Sequence, residues 1–198
     1  MYLFFKRIFD IISSLTVLII LSPLFIIIAV WIVIDSKGGV FYKHIRVGKN
    51  GIEFGLLKFR SMAKGADKGS QITIGNDSRV TKVGRFIRKY KIDELPQLIN
   101  ILRGEMSVVG PRPEVKKYVD LYTDEQLKVL TVLPGLSDYA SIEYFNEQII
   151  LGQAKNPDKE YIDVVMPAKL KLNLKYISEK GLKTDFIIIA KTLFKIFK

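Results

Sequence analysis

A long apolar segment near the N-terminus constrains the fold of this chain more than any other feature. Residues 11–34 number 24, of which 19 are apolar and none is charged. At 1.5 Å per residue, a helix of this length reaches roughly 36 Å, enough for a bilayer core of about 30 Å. Helices that are apolar on every face belong inside large proteins or in membranes. The segment therefore predicts membrane association.

Two arrangements of this segment in a membrane are open. Ser22 and Pro23 lie at its midpoint, where proline removes a backbone donor and predicts a kink. Basic residues flank both ends, namely Lys6, Arg7, Lys37, Lys43 and Arg46. Because positive charge marks the cytoplasmic side, these flanks favour a segment that enters the membrane, bends and returns, with a single kinked span as the alternative. A cleaved signal peptide fits poorly, since the stretch is too long and no small-residue cleavage site follows.

The last residues of the chain also fit a membrane surface. Lys191, Lys195 and Lys198 recur at helical spacing and form one basic stripe, while apolar residues occupy the other faces. A basic amphipathic helix of this kind lies in the headgroup region. The alternative is a terminal helix that packs on the core of the protein.

Composition excludes several classes of site. The chain has 31 Lys and Arg against 20 Asp and Glu, a net charge of +11, and no cysteine. A disulfide framework, a thiolate nucleophile and a Cys-based zinc site are therefore excluded. His44 is the single histidine, which excludes a multi-histidine metal centre and argues against a Ser-His-Asp hydrolase.

The remainder reads as an α+β fold that is mostly helical. Residues 40–60 predict a β-hairpin, because a Gly-Lys-Asn-Gly turn signal at 48–51 separates two strand-like runs. His44 falls on this hairpin and is expected to be exposed. Residues 63–78 are polar and glycine-rich and predict a mobile loop. Helical periodicity dominates from Val80 onward, with a short strand at Ser107–Val109.

A cationic stretch directly precedes a pair of carboxylates. Residues 79–91 hold six basic residues and no acidic one, and Asp93 and Glu94 follow. Asp93 is a natural N-cap for the helix indicated by Leu95, Leu98 and Leu102, and a helix N-terminus binds anions. The plainer interpretation is a simple cap at Asp93, a favourable first-turn charge at Glu94 and a basic face that contacts solvent or anionic lipid.

A rigid segment presents an arginine. Pro111 and Pro113 hold Arg112 in an extended backbone, which suits a guanidinium that binds a phosphate oxygen or a carboxylate. A proline-rich connector is the alternative.

Together these motifs resemble the bacterial sugar transferases, the monotopic polyprenyl-phosphate phosphoglycosyl transferases. The resemblance covers nearly the whole chain and fits the minimal members that consist of the catalytic domain alone. It is carried by residues 58–62, 76–81, 93–98, Asn100 and residues 104–113.

The resemblance implies a reaction and its residues. Family members transfer a sugar 1-phosphate from a UDP-sugar to polyprenol phosphate, usually undecaprenyl phosphate, with release of UMP and a requirement for Mg²⁺, as the first membrane step of a bacterial surface glycan pathway. By resemblance, Asp93 is the nucleophile of a covalent aspartyl-phosphosugar intermediate, and Glu94 supports it; both are the expected metal ligands. The expected phosphate and nucleotide contacts are Lys58, Arg60, Arg88, Pro111, Arg112 and Pro113.

The resemblance also implies a topology. The break at Ser22-Pro23 becomes the bend of a re-entrant helix, with both termini on the cytoplasmic face of the bacterial inner membrane. The expected division is a membrane-embedded part at 1–36, a catalytic domain at 37–181 and an interfacial helix at 182–198. Membrane lipid is an expected partner, a homodimer is compatible, and nucleic acid is not expected.

Two other functions remain open at this stage. A membrane-anchored basic module that binds nucleic acid or anionic lipid would explain the charge but not the adjacent carboxylates. A family member that has lost activity and acts as a scaffold is the other. Residues 136–144 depart from the commonest pattern of the family, so no residue is assigned to reading the sugar.

Overall fold

The computed structural model describes residues 1–66 and 77–196. Helix accounts for 61% and strand for 12%, which confirms a mostly helical fold with a small amount of sheet. Most of the loop predicted at residues 63–78 falls at 67–76, outside the described residues.

Ten α-helices and four strands follow one another within the described ranges. The α-helices are α1 (Tyr2–Ile20), α2 (Ser22–Asp35), α3 (Lys82–Lys89), α4 (Gln97–Arg103), α5 (Lys116–Val119), α6 (Tyr139–Glu143), α7 (Glu147–Gly152), α8 (Pro157–Glu160), α9 (Met166–Glu179) and α10 (Leu182–Ile196). The strands are β1 (Phe41–Val47), β2 (Glu53–Phe59), β3 (Ser107–Val109) and β4 (Gly135–Ser137). Tighter 3-10 turns lie at Lys49–Gly51, Ile92–Glu94 and Gln126–Thr131, and a π-helical turn at Tyr161–Val165 joins α8 to α9.

The apolar N-terminal segment forms two helices that meet at a sharp bend. The axes of α1 and α2 differ by 62°. Pro23 lies in the first turn of α2, where its missing N–H costs little, and the Ser22 hydroxyl donates to the carbonyl of Ile19 over 2.8 Å. No single helix of the described ranges is long and apolar enough to cross a membrane, whereas the bent pair passes that test by length and composition. The kink expected at Ser22-Pro23 is therefore present.

The beginning of α1 is hydrogen-bonded to the rest of the molecule. The guanidinium of Arg7 donates to the carbonyls of Ile101 and Leu102 at the end of α4, over 2.6 and 3.0 Å. The buried carboxylate of Asp10 accepts a hydrogen bond of 2.9 Å from the backbone amide of Val108 in β3. These contacts satisfy a helix C-terminus and a strand amide that would otherwise need other partners.

The predicted hairpin is confirmed. β1 and β2 pair antiparallel around the turn at Lys49–Gly51, with Phe41 opposite Phe59 and Val47 opposite Glu53. Asn50 and Gly51 both adopt positive φ in the turn, as the Asn-Gly signal predicts.

A buried asparagine fastens β2 to α4. The side-chain oxygen of Asn100 accepts a hydrogen bond from the amide of Leu57, and its nitrogen donates to the carbonyl of Gly55, each over 2.9 Å. These two bonds satisfy one backbone amide and one backbone carbonyl of β2, as a neighbouring strand would. They therefore fix the part of β2 that carries Lys58.

The prediction that Asp93 caps α4 is wrong. Asp93 does not cap α4, because α4 begins at Gln97 with Pro96 at its N-cap and Asp93 lies in a preceding 3-10 turn. Lys91 adopts a left-handed conformation with φ of 57°, so the chain reverses and tightens before the helix begins. Arg79, the first basic residue of the cationic stretch, lies before α3.

The short strand expected at Ser107–Val109 is confirmed as β3. It pairs in parallel with β4, with Val109 opposite Ser137. A Cβ on Gly135 would meet the backbone of Gly110, so only glycine permits this approach. The contact brings residues 111–113 beside the start of α6.

The C-terminal helix packs on the core of the protein along one face, as one of the two alternatives predicts. Asp185 and Ile188 are buried against the body, and the carboxylate of Asp185 accepts hydrogen bonds from Lys6 of α1 and Tyr176 of α9, over 2.8 and 2.9 Å. Other apolar residues of α10 remain exposed, including Phe186, Leu193 and Phe194. One face of α10 therefore packs on the core while the opposite face stays open.

Candidate active site

The carboxylate pair lies in the wall of a cavity of about 580 Å³. The hairpin, the end of α3, the 3-10 turn at Ile92–Glu94 and helices α9 and α10 all contribute to its lining. Among the residues predicted for the site, the structure brings together Lys58, Arg88, Asp93, Glu94, Arg112 and Pro113.

Glu94 is held by two cations. Its Oε1 accepts a hydrogen bond from Lys58 Nζ over 2.8 Å and a second, short one from Arg112. Burial alone would raise the pKa of Glu94, but Arg112 and Lys58 outweigh it and hold this pKa well below the usual range. Glu94 is therefore ionised at neutral pH and fixed in place by two elements distant in sequence.

Asp93 has the opposite environment. Its side chain is only 6% exposed, and its carboxylate has no hydrogen-bond partner among the described residues. Burial raises the pKa of Asp93, and the positive charge of Lys58, Arg88 and Lys91 opposes this rise without cancelling it. The Asp93 carboxylate is therefore open to a group that enters the cavity, and a carboxylate can serve as a nucleophile toward phosphorus.

Arg112 is positioned by its backbone. The strand β3 delivers it to the cavity, Pro111 and Pro113 flank it, and its amide donates to Asp138 over 3.2 Å. Its guanidinium remains partly exposed to the cavity while it binds Glu94. One group can therefore hold Glu94 and contact an entering anion.

Two predicted residues are placed elsewhere. Arg60 lies beyond the end of β2 and does not line the cavity; its guanidinium donates to the carbonyls of Ser36 and Lys37, over 2.8 and 3.2 Å. Arg60 thus caps the exit of α2. Pro111 lines only a small neighbouring cavity of about 20 Å³.

Comparison with known proteins shows the family. A family model described as "Bacterial sugar transferase" matches residues 1–198. The chain belongs to the bacterial sugar transferase family. The resemblance inferred from the motifs is thereby confirmed.

Two of the three relatives reported next are named for UDP-sugars and undecaprenyl phosphate, and the third for exopolysaccharide production. It is 37% identical over 196 residues to the UDP-N-acetylgalactosamine-undecaprenyl-phosphate N-acetylgalactosaminephosphotransferase of Aeromonas hydrophila, covering 97% of this chain and 43% of that protein. It is 38% identical over 199 residues to the UDP-glucose:undecaprenyl-phosphate glucose-1-phosphate transferase of Klebsiella pneumoniae, covering 98% and 40%. It is 35% identical over 207 residues to the exopolysaccharide production protein ExoY of Rhizobium meliloti (strain 1021), covering 95% and 83%. The chain thus spans less than half the length of the first two relatives and most of the third.

The carboxylates of Asp93 and Glu94 can be compared with the ligand sets that bind magnesium in proteins. The described residues contain no group of three or more His, Asp or Glu side chains that would form a closed metal site. Mg²⁺ commonly binds through one or two carboxylates together with substrate phosphates and water. Asp93, which accepts no hydrogen bond from the described residues, and adjacent Glu94 fit that open arrangement.

The cavity of the sugar transferase also has a polar wall that sequence analysis missed. Glu114 accepts hydrogen bonds from Arg46 over 2.6 Å and from the Tyr161 hydroxyl, and Glu147 pairs with Lys169 over 2.7 Å. All five residues line the cavity. They come from β1, the segment after β3, α7, the π-helical turn and α9. Because these elements are far apart in the sequence, no motif of fixed spacing could have predicted the wall.

Residues 136–144, which depart from the commonest sequence pattern of the family, contribute to the same cavity. Leu136, Ser137, Ser141 and Tyr144 are among its lining residues. His44 lies next to this wall, with Nδ1 3.3 Å from the Arg46 guanidinium. The prediction that His44 is exposed is wrong, because the ring is half-buried against Arg46.

Proposed function

We propose that this chain transfers a sugar 1-phosphate from a UDP-sugar to undecaprenyl phosphate, releases UMP and thereby begins a bacterial surface glycan. Family membership and the names of the relatives support the substrate classes. The observation that carries the proposal is the contrast within the carboxylate pair. Asp93 is buried without a hydrogen-bond partner among the described residues, while Glu94 beside it is held by Lys58 and Arg112.

In the first step, Asp93 is the nucleophile. A carboxylate oxygen attacks the phosphorus that carries the sugar, the bond from this phosphorus to the bridging oxygen breaks, and UMP leaves with that oxygen. The product is an acyl phosphate between Asp93 and the sugar phosphate. The lack of a protein hydrogen bond leaves both oxygens of Asp93 available for this attack.

The surrounding cations reduce the repulsion between the carboxylate and the diphosphate. Lys58, Arg88, Lys91 and Arg112 line the cavity around Asp93. Positive groups that are fixed before the substrate binds stabilise charge developing on the transferred phosphate at little cost in reorganisation. Glu94 holds Lys58 and Arg112 in this arrangement.

Asp93 and Glu94 would hold Mg²⁺ together with the diphosphate. The bound ion would supply Lewis-acid neutralisation of the phosphate oxygens. Arg88 and Arg112 contribute the same sign of charge from the protein itself.

In the second step, the lipid phosphate regenerates Asp93. An oxygen of undecaprenyl phosphate attacks the same phosphorus, and the bond to Asp93 breaks. Since this acceptor presents its phosphate only at the membrane surface, the enzyme must hold Asp93 there. The bent pair α1–α2 supports a re-entrant insertion from the cytoplasmic face of the inner membrane, with both termini cytoplasmic, residues 37–181 above the membrane and the open face of α10 at the interface.

UMP release from a panel of UDP-sugars tests this function. The full chain in liponanoparticles receives UDP-glucose, UDP-galactose or UDP-N-acetylgalactosamine with undecaprenyl phosphate and Mg²⁺. We expect turnover with at least one donor and a loss of at least about 1,000-fold for Asp93→Asn, the size expected when a nucleophile is removed. Asp124→Asn, at an exposed position, is the matched control.

A donor labelled at the sugar-bearing phosphorus tests the covalent step. Without acceptor, the wild-type protein should retain the label after denaturation and lose it when undecaprenyl phosphate is added before denaturation. Asp93→Asn should retain none. Turnover without protein-bound label would contradict the two-step path, and binding of UDP-sugars without turnover in either protein would identify an inactive scaffold.

A further inference from the structure

A buried asparagine in the cavity wall has a side-chain oxygen without a hydrogen-bond partner among the described residues. This residue, Asn173 of α9, is 5% exposed. Buried polar atoms are nearly always satisfied, so the Asn173 oxygen is able to accept a hydrogen bond from a hydroxyl that enters the cavity.

The surroundings of Asn173 form one continuous cluster. Lys169 lies one helical turn before Asn173 on α9 and sits 5.3 Å from the centre of the Tyr161 ring. The Tyr161 hydroxyl binds Glu114, and Glu114 also lines the small adjoining cavity together with Asn173. We call this cluster the Asn173 subsite; its members are Arg46, Glu114, Glu147, Tyr161, Lys169 and Asn173.

Charge separates this subsite from the carboxylate pair. Here each cation has its own carboxylate, since Arg46 pairs with Glu114 and Lys169 pairs with Glu147. Around Asp93, by contrast, Lys58 and Arg112 share the single carboxylate Glu94, and Arg88 and Lys91 add further positive charge. One part of the cavity therefore suits a diphosphate, and the other suits a neutral group.

The donor types at the Asn173 subsite match a hydroxyl-bearing ring. Carboxylate and amide oxygens accept hydrogen bonds from hydroxyls, and Lys169 and the unpartnered Nε of Arg46 donate to them. The rings of Tyr118 and Tyr161, whose centres are 4.8 Å apart, add apolar surface beside these polar groups. A few convergent polar groups on an aromatic surface are typical of small-molecule sites.

We propose that the Asn173 subsite binds the neutral, hydroxyl-bearing ring of the nucleotide sugar. The inference rests on the proposed function and extends it to residues that the sequence analysis assigned to no role in the site. Two rings of a UDP-sugar carry this chemistry, the transferred sugar and the ribose of uridine. Separate titrations with UDP-sugar and with UMP distinguish the two rings.

Binding measured in an Asp93→Asn background avoids turnover. UDP-sugar and UMP are titrated separately into the full chain with and without Asn173→Leu. Leucine has nearly the same shape, and the asparagine oxygen has no protein hydrogen bond to lose, so we expect an unchanged or higher Tm. We expect UDP-sugar affinity to fall at least about tenfold, as for loss of a buried hydrogen bond. Lys171→Met, on the exposed side of the same helix, is the matched control.

The pattern across the two ligands assigns the ring. Weaker UDP-sugar binding with unchanged UMP binding places the transferred sugar in the subsite, and equal weakening of both places the ribose there. Unchanged binding of both ligands overturns the inference. Lys169→Met provides an independent second variant, and it should weaken the same ligand as Asn173→Leu.

The failure of this inference is distinct from the failure of the proposed function. If the unsubstituted background binds neither UMP nor any UDP-sugar, and the wild type releases no UMP, the proposed function itself fails. If the wild type turns over and both subsite variants bind and turn over normally, only the assignment of the subsite fails.

Discussion

The carboxylate of Asp138 accepts a hydrogen bond of 3.2 Å from the backbone amide of Arg112. Its other oxygen accepts one of 2.6 Å from the amide of Ser141 and caps α6. Asp138 is fully buried, so it fixes Arg112 and the first turn of α6 relative to one another. Both flank the cavity, one beside Glu94 and the other through Ser141.

We expect Asp138→Ala to impair both stability and turnover. Loss of the cap and of one further hydrogen bond should lower the free energy of unfolding by about 2 kcal/mol, and Asp138→Asn, which can still cap, by about 1 kcal/mol. Turnover should fall about tenfold in Asp138→Ala because Arg112 loses its fixed position. Denaturant unfolding and UMP release measure these effects, and Asp124→Ala is the exposed control. Full activity in Asp138→Ala would show that Arg112 needs no such support.

Arg112 itself should affect catalysis more than folding. Arg112→Ala removes a cation that faces the cavity and leaves Glu94 with Lys58 alone. We expect kcat to fall about 100-fold, the usual effect of removing one preorganised group that stabilises developing charge. Arg112→Lys should recover part of this loss, because it restores charge without the planar fork of the guanidinium. Lys116→Ala, at an exposed site, should leave kcat unchanged.

His44 should make the protein sensitive to mild acid. Burial, together with the positive charge of Arg46 and Lys58, lowers the pKa of His44 from 6.5 to about 4. Between these values the unfolded chain binds a proton that the folded protein does not, so stability falls as the pH drops through this window. Melting curves at about pH 7.5 and about pH 5 should show a smaller loss of Tm for His44→Gln than for wild type. Equal losses in the two proteins would mean that other groups control acid sensitivity.

The re-entrant topology proposed above predicts that both flanks of the bent helix pair face the cytoplasm. The chain has no cysteine, so single cysteines at Leu3 and Lys49, both exposed, report without background. An impermeant thiol reagent should modify neither position in intact spheroplasts and both after permeabilisation. A cysteine at Ala29, within α2, serves as the buried reference. Modification of one flank from outside intact cells would establish a true span.

Local sequence signals predicted the elements that depend on local chemistry. The Asn50-Gly51 turn specified the hairpin, Pro23 specified the bend, and residues 107–109 specified β3. The turn and the bend rest on the backbone preferences of a few neighbouring residues, so the sequence alone predicted them. β3 differs, because it also needs its distant partner β4, with Ser107 opposite Gly135.

Errors arose where tertiary contacts override local preference. Asp93 looks like an N-cap, but the left-handed turn at Lys91 moves the start of α4 to Gln97. Arg60 was expected at the site by resemblance, yet β2 ends at Phe59 and the guanidinium reaches the carbonyls at the end of α2 instead. In both cases the chain direction changes at a single residue.

The polar wall of the cavity could not be predicted from the sequence, for a different reason. Its ion pairs join residues 68 and 22 positions apart, Arg46 with Glu114 and Glu147 with Lys169. No periodicity links partners across such separations. The unpartnered state of Asn173 is a property of packing alone.

The hydrogen bonds at the start of α1 bear on how this protein can be produced for study. Removing the first 36 residues to obtain a water-soluble enzyme would strip Arg7 from the carbonyls of α4, Asp10 from the amide of Val108 and Lys6 from Asp185. Each lost contact would leave a polar group of the remaining chain without its partner, next to the elements that carry the carboxylate pair. The bent helix pair and the rest of the protein therefore form one folding unit, and the junction near residue 36 is not a place to cut the chain.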